Sequence, residues 1–104
     1  MEKFSENQIR IETIVRQLGS NGMLLGHWLL VNATVEYLDG HPPRTAVHRA
    51  AELHGIPVHL AYSRLRGVLS RMEKVRSERY MELRGGERLS PVELIEKIAA
   101  DVQQ

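Results

Sequence analysis

Arginine side chains gather in one part of this 104-residue chain. Between residues 44 and 88 there are ten basic and five acidic residues, and nine of the ten basic residues are arginines. The remainder carries four basic and eight acidic residues, so the net charge of +1 conceals a basic segment. The guanidinium group forms bidentate hydrogen bonds to phosphate and to the edge of guanine. The segment is therefore a candidate nucleic-acid surface, with a solvated helix face of ordinary ion pairs as the alternative.

Residues 57–72 hold the side chains that could read a nucleic acid. Four apolar residues recur there at helical spacing and predict one buried face: Ala61, Leu65, Val68 and Met72. At 100° per residue the opposite face carries a polar line, on which His59, Ser63 and Arg66 have suitable size and polarity to meet base edges. Four basic residues are predicted to contact phosphates instead: Arg44, Arg64, Arg71 and Lys74.

The residue types give little support for other kinds of functional site. The chain has no cysteine, which excludes disulfides, thiolate zinc sites and a cysteine nucleophile. Five histidines are present, but only His48 and Glu52 form an i,i+4 pair, and no closed metal-ligand set follows from the spacing. We expect His27, in an apolar stretch, to be a hydrogen-bonded core residue. No motif supplies a nucleophile together with its base, so we expect neither an enzyme nor a metal or cofactor.

The first of the helices that must position these residues has a clear start signal. Ser5 and Gln8 have the spacing of a capping box, and Phe4 and Ile9 have that of a hydrophobic staple. Apolar residues follow at mostly helical spacing. The pattern predicts a helix over 6–18.

Three further helices are predicted in the middle of the chain. Residues 23–38 are apolar around much of the helix circumference, which predicts the central, most buried helix with Trp28 largely buried. A short alanine-rich helix over 44–54 ends at Gly55, and the next helix covers 57–72. Two helices joined by a tight glycine turn are typical of a helix-turn-helix, here at about 44–72.

The last part of the chain predicts two helix segments. Tyr80, Met81 and Leu83 could anchor a short helix, and Ser90 with Glu93 forms a second capping box before a helix that runs to the C-terminus. No segment alternates convincingly at period two, so no strand is predicted. The sequence therefore predicts a single all-α domain over 1–104, a compact bundle of five to six helices.

The compartment is predicted from the absence of targeting signals. Residues 1–6 are polar and do not resemble a signal peptide. Residues 17–35 lack charged side chains, but glycines and polar residues interrupt them, so a buried helix explains them better than a membrane span. We expect a cytoplasmic protein with no membrane association.

Six blocks occur in an order that is typical of one protein family: 14–19, 26–30, 35–38, 47–54, 58–71 and 90–95. In this order they resemble the C-terminal DNA-binding effector domain of the sporulation initiation response regulator of endospore-forming Firmicutes. The resemblance places 47–54 as the first helix of the family's helix-turn-helix and 58–71 as its recognition helix. The family's receiver domain has no counterpart in the chain, so we expect a stand-alone domain.

The resemblance implies a sequence-specific transcriptional regulator, connected with sporulation, whose partner is double-stranded DNA. It also implies binding as a homodimer on tandem or inverted half-sites. Because a phosphoacceptor site would lie in the missing receiver domain, control by phosphorylation would have to come from a protein partner.

The predicted recognition helix departs from the family in its first half. Arg66 matches an arginine of the family, but Leu60, Tyr62, Ser63 and Gly67 replace charged or polar residues. These departures support an alternative, a protein-interaction module derived from the domain that has lost or weakened DNA binding. If other parts of the chain, or an obligate dimer, cover the outward face of residues 59–70, the DNA-binding hypothesis loses its groove reader.

Overall fold

The computed structural model describes residues 5–104, and six α-helices with no β-strand make up this part of the chain. In chain order they are α1 (Glu6–Gln17), α2 (Leu25–Leu38), α3 (Pro43–Leu53), α4 (Val58–Val75), α5 (Glu78–Arg84) and α6 (Pro91–Val102). The predicted all-α bundle of five to six helices is confirmed. The staple expected between Phe4 and Ile9 involves a residue outside the described range. Over residues 5–104, no helix has both the length and the apolar character needed to cross a bilayer.

Serine side chains begin three of these helices. At the start of α1, Ser5 Oγ accepts a hydrogen bond from Gln8 N–H at 3.0 Å. At the start of α6, Ser90 and Glu93 form the full reciprocal capping box, with bonds of 3.2 and 2.8 Å. Ser77 caps α5 through its side-chain oxygen, and this cap was not predicted from the sequence. Each cap satisfies a backbone N–H group that the first helical turn leaves without a partner.

Two helix boundaries differ from the predicted ones by more than one residue. Helix α2 begins two residues later than expected, because Leu24 has extended backbone (φ −98°, ψ 139°) and occupies the N-cap position. Helix α4 continues to Val75 and stops at Arg76, whose left-handed backbone (φ 52°) ends it. Apolar periodicity does not report such backbone turns, so it locates helices better than it locates their ends.

Helix α2 lies at the centre of the bundle, packed against α1, α3, α4 and α6. Its buried apolar side chains include Leu29, Leu30, Val31 and Ala33. Trp28, predicted to be largely buried, is partly buried and packs against the core, and its Nε1–H donates to Gly22 O at 2.7 Å. An indole N–H needs a polar partner, and the α1–α2 loop supplies one near the surface. Among the tryptophan and tyrosine side chains of residues 5–104, only Tyr80 of α5 is fully buried.

Gly26 allows the central helix to lie against the backbone of α4. A Cβ atom at this position would be 2.4 Å from Val68 Cγ2 and 2.7 Å from the backbone oxygen of Arg64. Both distances are far inside van der Waals contact, and the second involves a main-chain atom of another helix. A side chain at residue 26 would therefore push α4 away from the core, so Gly26 sets the position of α4.

His27 of α2 is fully buried and connects the α1–α2 loop to α1. Its Nε2–H donates to Glu12 Oε2 at 3.0 Å, and the Ser20 hydroxyl donates to its Nδ1 at 2.9 Å. The predicted hydrogen-bonded core histidine is confirmed. The array of serine, histidine and carboxylate was not apparent from sequence, but the ring has no exposed surface and no nitrogen free for a substrate. Burial lowers the pKa of His27 below its usual 6.5, so the ring is neutral at pH 7.

The buried histidine predicts an acid-sensitive fold. Because burial and the charge of Arg16 lower the pKa of His27, against the opposing effect of Glu12, the unfolded chain binds a proton near pH 6.5 that the folded chain does not. Stability should therefore fall as pH drops below 6.5, by at most about 1.4 kcal/mol per pH unit. Urea unfolding at pH 7.5, 6.5 and 5.5 measures this loss.

Two variants isolate the contribution of His27 to that loss. His27→Gln removes the titrating group, and the slope between pH 6.5 and 5.5 should become shallower. His48→Gln removes an exposed histidine from α3 and should keep the wild-type slope. An unchanged slope in His27→Gln would show that another group causes the acid sensitivity.

Candidate nucleic-acid interface

Helices α3 and α4 form a packed pair joined by a four-residue turn. Gly55 has φ 68°, as predicted for the residue that ends the first helix. Ala50 and Ala51 are both buried, which lets the two helices approach closely. The turn is also fixed to α2, because His54 Nε2 donates to Asn32 Oδ1 at 2.8 Å. The turn between the two helices is therefore held by contacts outside α3 and α4 as well.

Helix α4 has one buried and one open face, as the sequence predicted. The residues predicted to be buried are so: Ala61, Leu65, Val68 and Met72. The three candidate base readers, His59, Ser63 and Arg66, are all exposed, as is Ser70 on the same line. No part of the chain within residues 5–104 covers this face. The first of the two conditions that would remove the groove reader, coverage by the chain itself, is therefore not met by the described residues.

The four candidate phosphate contacts are also exposed and lie on the same two helices. Arg44 is in the first turn of α3, whereas Arg64, Arg71 and Lys74 are on α4. Neither these four nor Arg66 makes an ion pair with any residue in the range 5–104. Their charges are therefore not neutralised by a close acidic side chain of this part of the chain.

Four other basic residues of the segment have acidic partners, so the ion-pair alternative is correct for them. These pairs are Arg49–Glu36 (2.6 Å), Arg76–Glu73 (3.9 Å), Arg79–Asp101 (2.5 Å) and Arg84–Glu73 (2.8 Å). All four arginines lie outside the open face of α4. The structure thus separates the basic segment into arginines with acidic partners and basic residues without a partner among residues 5–104. Five of the latter are exposed on α3 and α4: Arg44, Arg64, Arg66, Arg71 and Lys74.

Glu73 is the single acidic residue of α4, and its carboxylate is held by α5. The hydroxyl of Tyr80 donates to Glu73 Oε2 at 2.5 Å, and Arg84 Nε lies 2.8 Å from the same oxygen. The Tyr80 hydrogen bond, with the charge of Arg84, lowers the pKa of Glu73 below its usual value. Burial and this carboxylate raise the pKa of Tyr80 to about 12. The basic side chains of α4 are therefore left without a competing acid on their own helix.

Two residues that depart from the family pattern have distinct surroundings. Tyr62 is partly buried and packs against the core, with its hydroxyl buried, so it is not placed to meet a phosphate. Gly67 is exposed, and a Cβ atom built on it would have no neighbour within 4 Å. Gly67 therefore makes no close packing contact with a neighbouring helix of the described residues.

The positions of the histidines determine whether they could bind a metal ion together. Within residues 5–104 there is no group of three or more histidine, aspartate or glutamate side chains close enough to hold an ion. The two members of the i,i+4 pair, His48 and Glu52, are both exposed on α3.

Comparison with models of known protein families, with curated proteins and with solved structures gives no match for this chain. The resemblance based on the order of its segments stays a prediction.

Proposed function

We propose that this chain is a sequence-specific regulator of transcription that binds double-stranded DNA through a helix-turn-helix formed by α3 and α4. The observation that carries the proposal is the open face of α4, where exposed polar and basic side chains lie opposite a buried apolar stripe. An α-helix with its side chains fits the major groove of B-DNA, which is about 12 Å wide.

The outward line of α4 would read the bases. Arg66 can donate two parallel hydrogen bonds to O6 and N7 of guanine, the commonest specific contact in protein–DNA complexes. His59 and Ser63 each offer a group that can donate or accept, so they can meet several base edges. All three side chains are exposed in the domain, so no rearrangement of its core is needed to present them.

The unpaired basic residues would bind the phosphates of the two DNA strands. Guanidinium and ammonium groups that contact phosphates release condensed counterions, which makes binding weaken as salt rises. Four such contacts, from Arg44, Arg64, Arg71 and Lys74, predict a log–log salt slope of about −3 to −4 per domain. These contacts orient α4 in the groove and carry no direct sequence information.

A pair of domains on one DNA site fits the dimensions of the molecule. The principal extents are 36, 29 and 26 Å, and successive half-sites on one face of B-DNA are about 34 Å apart. Two copies aligned with their shorter dimensions along the DNA would fit on adjacent turns without overlap. A second copy would also supply the specificity that a small single module lacks.

The second candidate function is a protein-interaction module, favoured by apolar side chains that are exposed just before α2 and at the end of α3. Met23 and Leu24 at the start of α2, and Leu53 at the end of α3, are exposed by 89%, 41% and 67%. Scattered exposed apolar residues are common on monomeric proteins, so this observation is weaker than the unpaired basic face.

Selection of bound duplexes from a random pool tests the proposal. We expect the wild-type domain to enrich a short motif in one or two copies, because the outward line of α4 distinguishes bases. The control is Lys97→Ala, which removes one positive charge from an exposed position on α6 and should enrich the same motif. Absence of binding to any duplex at low salt would overturn the proposal and support the interaction module.

A further inference from the structure

A cleft of about 310 Å³ separates the start of α2 from the side of α4. We refer to it as the α2–α4 cleft. Ser63, Arg64 and Arg71 of α4 form its polar wall, and Leu24 and Leu25 form its apolar wall. Gly67 lies between the two arginines. The cleft therefore adjoins the line proposed to read bases but extends beyond α4 itself.

The two arginines of the polar wall are placed to share one anion. They are seven residues apart, so their Cα atoms are separated by about 10 Å along the same side of α4. Gly67 comes three residues after Arg64 and four residues before Arg71. Both side chains are exposed, and neither has an acidic partner within residues 5–104. Two long guanidinium side chains can therefore converge above Gly67 without losing an existing contact.

The missing side chain of Gly67 leaves the surface of α4 open between Arg64 and Arg71, and it does not stabilise the fold. A glycine in the middle of a helix is less favourable than alanine. A Cβ atom at residue 67 would meet nothing within 4 Å, in contrast to Gly26 across the cleft, where a Cβ would contact α4. The packing of residues 5–104 thus does not require glycine here, whereas a group bound above residue 67 would gain close access to the helix.

The apolar wall distinguishes the cleft from a simple anion site. Leu24 and Leu25 are exposed by 41% and 36%, and they face the polar wall across the cleft. A sugar–phosphate chain has both characters, because each charged phosphate is flanked by a largely apolar deoxyribose. The cleft presents guanidinium groups to the phosphate and leucine side chains to the deoxyribose.

We propose that the α2–α4 cleft binds one sugar–phosphate segment of double-stranded DNA. The phosphate lies above Gly67 between Arg64 and Arg71, and the adjoining deoxyribose packs on Leu24 and Leu25. The inference rests on the proposed function and deepens it, because it adds the start of α2 to the DNA interface and gives Gly67 a positioning role.

Filling the cleft tests the inference. Gly67→Gln should lower affinity about tenfold for the selected duplex and for random duplex alike, since the lost contacts are to the backbone and not to bases. Its melting temperature should equal or exceed that of the wild type, which separates the effect from misfolding. The matched control is Ala100→Gln, which adds the same side chain at an exposed position of α6 and should bind as the wild type does.

A second variant tests the apolar wall. Leu25→Ser should lower affinity several-fold for both duplexes with little change in melting temperature, because Leu25 is partly exposed. A series of duplexes with one uncharged methylphosphonate each locates the phosphate. Of the positions that weaken wild-type binding, the one bound in the cleft should have no further effect on the double variant Arg64→Ala/Arg71→Ala, whereas the positions contacted by Arg44 and Lys74 should still weaken its binding.

The outcomes distinguish the two proposals. If the wild type binds no duplex at low salt, the proposed function fails. If the wild type binds and Gly67→Gln binds equally well, or loses affinity for the selected duplex alone, the cleft proposal fails while the proposed function stands. Unchanged binding by Leu25→Ser would remove α2 from the interface and likewise overturn the cleft proposal.

Discussion

Gly26→Val is expected to destabilise the domain by about 3 kcal/mol and to lower its melting temperature by about 10–20 °C. The Cβ of any side chain at residue 26 would lie 2.4 Å from Val68 Cγ2 and 2.7 Å from Arg64 O. Val68 could rotate, but the carbonyl belongs to the backbone of α4 and can move only with the helix. Valine adds two further methyl groups to the same contact. The loss should appear in urea and thermal unfolding followed by circular dichroism.

Gly67→Ala is the matched control for this substitution. It also replaces a glycine inside a helix, but its Cβ would have no neighbour within 4 Å. Removing the conformational cost of glycine should stabilise the domain by about 0.5–1 kcal/mol. Adding a side chain in place of glycine thus has opposite effects on stability on the two sides of the α2–α4 crossing. Wild-type stability in Gly26→Val would show that α2 and α4 do not lie this close.

The second large effect is a loss of sequence discrimination in Arg66→Ala. If Arg66 makes a bidentate contact with guanine, its removal should cost about 1–3 kcal/mol on the selected duplex and much less on random duplex. This corresponds to roughly 5- to 150-fold weaker specific binding. Because Arg66 is exposed and has no acidic partner within residues 5–104, its loss should leave the unfolding curve nearly unchanged. Fluorescence anisotropy with both duplexes measures the ratio.

Arg71→Ala provides the contrasting pattern. A phosphate contact is indifferent to sequence, so affinity for the two duplexes should fall by similar factors. The slope of log K against log salt should become shallower by about one, since one fewer counterion is released. Lys97→Ala removes an equal charge from α6 and should change neither quantity by a comparable amount. Equal losses on both duplexes for Arg66→Ala would exclude its base-reading role.

The sequence predicted most helices because their signals are local. Serine caps and apolar repeats act over three or four residues, so the start of α6 at Ser90 and the buried stripe of α4 could be recognised without knowing the fold. The exposure of His59, Ser63 and Arg66 follows from the same periodicity, since a helix that buries one side must present the other. The predicted helix boundaries were less accurate where the backbone turns, as at Leu24 before α2 and at Arg76 after α4.

The electrostatic character of the basic segment depended on the tertiary structure. The sequence contains ten basic residues in this segment, but it does not show which of them have acidic partners. Arg49 meets Glu36 of α2, and Arg79 meets Asp101 of α6, so these partners are separated by 13 and 22 residues. Ion pairs over such separations depend on how helices pack, which no local spacing reports.

What the sequence alone determined is the set of helices, the side of α4 that is buried and the candidate residues on its open side, because each follows from interactions within a few residues. Packing between distant segments decides instead which charges stay free, how Glu73 comes to be held by Tyr80 and Arg84, and where two backbones approach closely. Packing also leaves Trp28 partly buried and buries Tyr80 of the short helix α5 completely. These features depend on contacts between distant segments, whose geometry exists only after the helices have packed.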